Sequence, residues 1–297
     1  MVSRVRSNGA EPKTRTPGDF LRRCLRDMAR HEEGVLAGDD ADAVHDLRVA
    51  SRRLRAALAF LKKELPAART RRVSRRVRRI TRALGDLRQY DVNARLLDRI
   101  ILESPEARPA AEFARPVLAA DRGRVLMRAR KALRRRDLAG LEKQVKDLTL
   151  RLDRCDREAL SRRATRLATR QAKRLSRIWS TNGAGPGRGA NPKDKARLHA
   201  IRIATKKLRY HLETGRTVCG WRVEPALQTA REVQELLGGL HDEEALRHWC
   251  ESHRDEAAGF MGGLIRHLRH REAAAMARIA AMREASHAAL IAPWTNP

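Results

Sequence analysis

Aromatic residues are scarce in this chain, where four tryptophans, four phenylalanines and two tyrosines make up 3% of the sequence. β-sheet proteins are enriched in aromatic and β-branched residues, so this composition argues against a sandwich or barrel and favours helices. Acidic residues are also few. They number 36 against 65 lysines and arginines, which leaves a formal net charge of +29 and a pI near 11.4. Such an excess of positive charge attracts polyanions from a distance.

Cysteine pairs and long apolar runs are also missing. The four cysteines, Cys24, Cys155, Cys219 and Cys250, are far apart and form no CxxC pair, so we expect neither a zinc ribbon nor a disulfide framework. No apolar run approaches the roughly 18–20 residues of a membrane span. No apolar segment follows the basic N-terminus, as a signal peptide would require. We therefore expect a cytoplasmic protein without a membrane partner, a metal or another cofactor.

Apolar residues recur with the helical period along most of the chain, and the sequence therefore predicts an all-α fold. We predict a disordered basic tail over residues 1–16, a single helical domain over 17–290 and a short tail over 291–297. The glycine- and proline-rich stretch 180–195 predicts a loop because these residues do not continue a helix.

An internal repeat is the most informative feature of the sequence. The segment VHDLRVASRRLRAALAF (44–60) aligns without gaps on LHAIRIATKKLRYHLET (198–214), at an offset of 154 residues. Further along, RALGDLRQYDV (82–92) aligns on ELLGGLHDEEA (235–245), at an offset of 153 residues. We therefore predict that the domain consists of two related helical halves. These halves are residues 17–150 and 151–290.

The first aligned segment is an amphipathic helix whose polar side is almost purely positive. At 100° per residue, its histidine and three of its cations lie within about 80° of one another, and its leucines lie opposite. Like charges at i,i+3 and i,i+4 repel by a few tenths of a kcal/mol, so the stripe weakens the helix unless an anion neutralises it. The stripes are His45, Arg48, Arg52 and Arg55 in the first copy and His199, Arg202, Lys206 and Arg209 in the second.

A third basic segment lies between Lys62 and Arg82, where ten lysines and arginines accompany one acid, Glu64. Apolar residues continue through it at helical spacing, so we interpret it as one face of a helix. Its cations are mostly arginines, whose planar guanidinium binds phosphate oxygens in pairs. The arginines that share one flank of the apolar stripe, and that we add to the predicted site, are Arg72, Arg75, Arg76 and Arg79.

The pattern H-x-x-R-[VI]-x-x-[RK]-[RK]-L-R, present in both halves and followed by LGxL, closely resembles the CHAD domain, the conserved-histidine α-helical domain. The resemblance extends from about residue 17 to 290. It implies two related four-helix bundles about a pseudo-twofold axis, with a basic central groove or pore that binds inorganic polyphosphate. The phosphate contacts that it implies are His45, Arg48, Arg52, Arg53, Arg55, His199, Arg202, Lys206, Lys207 and Arg209.

The same resemblance implies a partner and a location. Relatives that bind polyphosphate include phosin-like proteins of polyphosphate granules, and a phosphate or sulfate ion would fit the same groove. Other relatives are fused to a triphosphate-tunnel domain, but this chain has no ExExK element, so we expect a stand-alone form.

Two other functions stay open. The charge also suits RNA or DNA, and we expect non-specific binding of nucleic acid at low salt. Single-strand binders, however, usually add aromatic stacking platforms, which are scarce here. His241-Asp242 is typical of metal-dependent phosphohydrolases, but the other ligands have no matching positions. No paired carboxylates, nucleophile elbow or Walker motif is present, so we expect no catalytic residues and no enzymatic activity.

Overall fold

A computed structural model describes the chain over seven ranges: 16–37, 40–135, 138–150, 152, 155–180, 192–253 and 260–291. The described residues form nine α-helices and no β-strand, which confirms the all-α prediction. The helices are α1 (Pro17–Ala37), α2 (Ala41–Phe60), α3 (Ala67–Glu103), α4 (Arg108–Arg134), α5 (Leu138–Thr149), α6 (Arg157–Ser180), α7 (Pro192–Cys219), α8 (Glu224–Ser252) and α9 (Phe260–Ile291).

The predicted tails, 1–16 and 291–297, lie outside the described residues apart from Thr16 and Ile291. The predicted loop 180–195 overlaps the end of α6 and the start of α7. Ser180 is the last residue of α6 and Pro192 is the first of α7, and residues 181–191 lie outside the described part. A proline is compatible with the first helical position because the amide hydrogen that it lacks has no partner there.

Local sequence explains where α2 begins. Asp40 caps the helix, and its carboxylate accepts hydrogen bonds from the backbone N–H groups of Asp42, at 2.7 Å, and Ala43, at 2.9 Å. Such a cap satisfies amide groups that have no partner within the helix. The helix ends at Phe60, and a turn leads to Pro66, after which α3 begins.

The leucine stripes predicted for the two aligned helices are buried. Leu54 and Leu58 of α2 and Leu208 and Leu212 of α7 are fully inaccessible to solvent. Burial of a leucine side chain contributes about 1.5–3 kcal/mol, so these residues hold each helix with one side turned inward. The histidine and cation stripes consequently lie on the opposite side, as the helical wheel predicts.

The buried apolar side chains of the described residues form two clusters. The larger cluster joins α1–α3, α5–α7, the second half of α4 and the first half of α8. The smaller joins the end of α3 and the start of α4 to the end of α8 and the start of α9. Both clusters include residues from both predicted halves, so the core does not divide near residue 150. The duplication itself stays a prediction.

Two of the contacts between the predicted halves join helices that the repeat makes equivalent. Helix α2 packs against α7, and α3 packs against α8. The halves also meet where α4 packs against α9 and where α1 packs against α7. Within the predicted halves, α2 also packs against α3, and α7 against α8. This arrangement brings the polar sides of α2 and α7 together and places α3 and α8 next to them.

Candidate polyanion-binding site

Cations from three helices meet where the predicted halves are in contact. The Lys206 ammonium on α7 interacts electrostatically with Arg48 and Arg52 of α2 and with Arg202 of α7. Arg88 of α3 interacts with Arg48 and so extends the group to a third helix. All five side chains are half-buried. We call these residues, Arg48, Arg52, Arg88, Arg202 and Lys206, the central basic cluster.

Arg48 is held between α2 and α3. Its Nη1 donates a hydrogen bond to the carbonyl oxygen of Thr81, at 3.3 Å, and lies against Gly85. The hydroxyls of Ser51 and Thr81 join the same two helices through a buried hydrogen bond of 2.9 Å. Burial, with a smaller effect from Arg52, lowers the pKa of Arg48 to about 10. Packing thus keeps the Arg48 guanidinium next to other positive charges.

Lys206 shows the cost of bringing these charges together. Burial, with smaller effects from Arg52 and Arg202, lowers the pKa of its ammonium to about 7. Burial likewise lowers the pKa of Arg202 and of Arg88. An anion among these groups would offset both the loss of hydration and the mutual repulsion, so the cluster has a physical reason to bind one.

Unused hydrogen-bond donors accompany this charge. The Nε of Arg202 and the Nη1 of Arg88 are buried and have no hydrogen-bond partner among the described residues. Within the described part of the chain, no carboxylate oxygen lies within 4.0 Å of a charged nitrogen of the central basic cluster. Buried donors are nearly always paired in folded proteins, so these two atoms are available to a ligand with acceptor oxygens.

One carboxylate of α8, that of Asp242, faces the cluster without forming a close ion pair. It interacts electrostatically with Arg202, Arg88 and Lys206, and it forms a hydrogen bond with Gln89 of α3. Burial raises the pKa of this carboxyl group. Asp242 therefore reduces the positive potential of the cluster and competes with any anion that binds there.

Each predicted histidine lies beside the residue that follows an LGxL element. His45 lies on α2 next to Arg88 with part of its ring exposed, and the burial of the remainder and the charge of Arg88 lower its pKa. The His199 ring, on the exposed side of α7, is 6.3 Å from the ring of His241 on α8, measured between centroids. Burial and Arg202 lower the pKa of His241 to about 4. Arg88 and His241 are equivalent in the alignment, so each histidine has a matching neighbour.

Arg55 extends the basic surface along α3. Burial lowers its pKa, and so do Arg78, Arg52 and Arg82. At 100° per residue, Arg78 and Arg82 lie on the side of α3 that also presents Gly85 to α2. Arg78 and Arg82 are therefore α3 neighbours of the stripe, and sequence reasoning missed them.

The four predicted α3 arginines differ in their positions around the helix. Arg75 is about 20° from Arg82 and so shares its side, whereas the other three are about 100–160° from Arg78. The helical wheel selects these arginines by their angle to the apolar stripe of α3 alone. It contains no information on where α2 packs against α3. Their contact with a ligand stays a prediction. They are Arg72, Arg75, Arg76 and Arg79.

Three further predicted contacts lie at the edge of the cluster or outside it. Arg53 is exposed and lies near Cys24 of α1 rather than beside Arg52, because successive helical residues are 100° apart. Lys207, the aligned residue of α7, is also exposed. Arg209 interacts with Lys206, forms an ion pair with Glu213 at 3.4 Å and lies over the ring of Tyr210 at 4.8 Å.

Sequence reasoning missed Arg88, His241 and Asp242 as members of the site. A signal was present, because the LGxL alignment equates Arg88 with His241 just as it equates the two stripes. We considered His241 and Asp242 only as metal ligands. In the described ranges, no group of three or more His, Cys, Asp or Glu residues is arranged to hold a metal ion. The described helices also include none with the length and apolar character of a membrane span.

Comparisons with known proteins identify the family and the fold. The family model described as CHAD domain matches residues 19–251. The crystal structure of the CHAD domain from the plant Ricinus communis has 22% sequence identity to this chain and superposes on it with a TM-score of 0.70. The match covers 94% of this chain and 92% of the plant protein's chain. PptA from Streptomyces chartreusis is 17% identical, with coverages of 92% and 99% and a TM-score of 0.63. These two likenesses show the fold. No curated protein matches the sequence.

Proposed function

We propose that this chain, which belongs to the CHAD domain family, binds inorganic polyphosphate at the central basic cluster. The family is associated with polyphosphate. The observation that supports the proposal most strongly is the contact between α2 and α7, which groups Arg52, Arg202 and Lys206 with no closely paired carboxylate from the described residues. The chain acts as a binding protein and not as an enzyme, and it locates to polyphosphate granules.

The ligand's chemistry fits the composition of the cluster. Polyphosphate presents about one negative charge per internal phosphate and only acceptor oxygens, with no base edges to read. Its receptor therefore needs donors and positive charge at short intervals, and it needs no aromatic stacking platform. Arginine supplies paired donors for phosphate oxygens, and lysine supplies a point charge. Counterion release provides much of the affinity for such a polyanion, so binding falls steeply with salt.

A competition titration tests the proposal. Labelled long-chain polyphosphate is titrated in about 150 mM salt, where exposed charges more than about 8 Å apart are largely screened. Unlabelled single-stranded DNA, RNA and duplex DNA serve as competitors. The test variant is Arg52→Glu/Lys206→Glu. Its matched control is Arg170→Glu/Lys173→Glu, which makes the same charge change at two exposed positions of α6.

We expect polyphosphate to outcompete the nucleic acids and the test variant to bind at least about a hundredfold more weakly, since charge-assisted contacts contribute about 1.5–3 kcal/mol each. The control should stay within a few-fold of the wild type. Circular dichroism reports whether both variants keep their helices. Equal competition by nucleic acids, or equal losses in the two variants, would show a generic basic surface and contradict the proposal.

A further inference from the structure

A pocket between α7 and α8 adjoins the central basic cluster and has a different chemistry. Leu198, Leu237 and Leu240 provide its apolar wall. Arg202 lines the pocket and also belongs to the cluster, so a chain bound to the cluster can reach into it. The other side chains that line the pocket are Lys195, His199, His241 and Glu244. The pocket therefore combines donors with acceptors, whereas the cluster offers donors alone.

Acidic residues surround the lysine of the pocket. Lys195 forms ion pairs with Glu244, at 3.3 Å, and with Glu272 of α9, at 3.7 Å. Glu272 in turn accepts a hydrogen bond from Arg247, at 2.6 Å. The Lys195 ammonium has three donors, so one stays available to a phosphate oxygen. A polyanion that reaches the pocket therefore meets both a donor and two carboxylates there.

The equivalent place in the first predicted half differs. At an offset of 153, His241 corresponds to Arg88, which is longer and carries a full charge, and Glu244 corresponds to Asp91. Asp91 is buried and paired with Arg122, at 2.6 Å, so its carboxylate serves the core instead of a pocket. At an offset of 154, Lys195 corresponds to Ala41. The donors and acceptors thus come together in the second half.

An internal phosphate and a terminal phosphate differ in what they offer this pocket. An internal phosphate has only acceptor oxygens and a single strong acid group. A terminal phosphate has an additional ionisable oxygen, which in phosphate esters titrates near pH 6. At neutral pH it is therefore more negative than an internal unit or carries a P–OH donor. A neutral imidazole has one N–H donor and one acceptor nitrogen, and a carboxylate accepts only.

The low pKa of His241 keeps its imidazole neutral at pH 7. Its acceptor nitrogen and the Glu244 carboxylate suit a P–OH group, while Lys195 and Arg202 suit the remaining oxygens. Glu244 would repel an internal phosphate, which has no proton to donate, whereas the protonated form of a terminal phosphate donates its P–OH hydrogen to this carboxylate. We infer that the pocket formed by Lys195, His199, Arg202, His241 and Glu244 binds the terminal phosphate of a polyphosphate chain. This inference rests on the proposed function, because the rest of the chain lies on the central basic cluster.

Binding of short linear polyphosphate with free ends is compared with binding of the same chain whose two terminal phosphates are capped as methyl esters. Capping also removes charge, so the measured quantity is the ratio of the two dissociation constants in each protein. We expect free ends to bind about tenfold more tightly to the wild type. In His241→Leu the preference for free ends should fall to the small ratio that the lost terminal charge of the capped chain produces by itself. His241→Gln, which keeps a donor and an acceptor, should restore most of the preference.

His270→Leu, at an exposed position of α9, is the matched control and should keep the wild-type ratio. If His241→Leu does not fold, His199→Leu at the exposed rim makes the same test. Equal ratios in the wild type and in the pocket variants would overturn the inference. Orthophosphate that binds the pocket as tightly as a free-ended chain would also overturn it, because the pocket would then hold single phosphates. Failure of capped and free-ended chains alike to bind would refute the proposed function first.

Discussion

The Nη1 of Arg48 occupies the space beside Gly85 that a side chain would fill, since a Cβ built on Gly85 would lie 3.0 Å from that nitrogen. Glycine in a helix interior costs about 0.5–1 kcal/mol relative to alanine. Here the missing side chain allows α2 and α3 to hold a guanidinium between them. At the aligned position of α8, a Cβ added to Gly238 would meet no heavy atom within 4 Å, so the two glycines differ in their surroundings.

Gly85→Ala should therefore weaken polyphosphate binding by about two- to fivefold while leaving the fold intact. The new methyl group displaces the end of a flexible arginine by a few tenths of an ångström, and alanine favours the helix by up to about 1 kcal/mol. Titration of polyphosphate and thermal melting measure the two effects. Gly238→Ala is the matched control and should raise stability without changing affinity. Unchanged binding by Gly85→Ala would show that the position of Arg48 does not matter.

Arg202→Gln should reduce the salt dependence of binding as well as the affinity. Each cation that contacts a phosphate contributes roughly one unit or slightly less to the slope of log K against log salt. We expect the slope to become shallower by about 0.7–1 because one such contact is lost. Titrations at several salt concentrations give this slope. Arg170→Gln on the exposed side of α6 should leave it unchanged, and equal changes in the two variants would contradict a localised site.

Polyphosphate binding should weaken as the pH rises from 7 to 9. Burial and neighbouring arginines lower the pKa of Lys206 to about 7, and a bound anion moves it back towards 10.5. Binding above pH 7 therefore takes up a proton, so the affinity falls by up to about tenfold per pH unit. Calorimetry in buffers of different ionisation enthalpy measures this uptake. Lys206→Arg, which stays charged, should show a flatter profile, and an identical profile would contradict the assignment.

The free energy of unfolding of the ligand-free protein should rise with pH, whereas its affinity for polyphosphate falls. Between pH 7 and 10.5, Lys206 is protonated in the unfolded chain and largely neutral in the folded one. The unfolded state then binds more protons, so the free energy of unfolding rises with pH in this window. The difference in melting temperature between wild type and Lys206→Met should shift in favour of the wild type from pH 6 to 9. A constant difference would show that Lys206 has an ordinary pKa.

Asp242→Asn should increase the affinity for polyphosphate by about three- to tenfold. The substitution removes a negative charge that interacts with Arg88, Arg202 and Lys206, and a unit charge at this range contributes on the order of 1 kcal/mol. The amide can still form a hydrogen bond with Gln89, so the packing should remain. Glu235→Gln, at an exposed position of the same helix, is the control and should have little effect. Weaker binding by Asp242→Asn would mean that the carboxylate organises the site.

Local patterns in the sequence were sufficient to predict the helices and the direction of their side chains. The burial of Leu54 and Leu208 and the opposite placement of Arg52 and Lys206 follow from a period of 3.6 residues, which depends only on neighbours along the chain. The family resemblance, confirmed by the match over residues 19–251, added the expected ligand. Both the all-α class and the stripes were therefore accessible without coordinates.

The tertiary structure decided which of these charged sides come together. Contact between α2 and α7 joins residues that are far apart in the chain. Packing against α2 sets the rotation of α3 about its axis, and the α3 side chains that face this contact are therefore Arg88, Arg78 and Arg82. The place of Asp242 among the cations and of Arg48 beside Gly85 has the same origin. Helical periodicity determines where a side chain points relative to its own helix. Its partners depend on how the helices bury their apolar surfaces against one another, and that is a property of the whole chain.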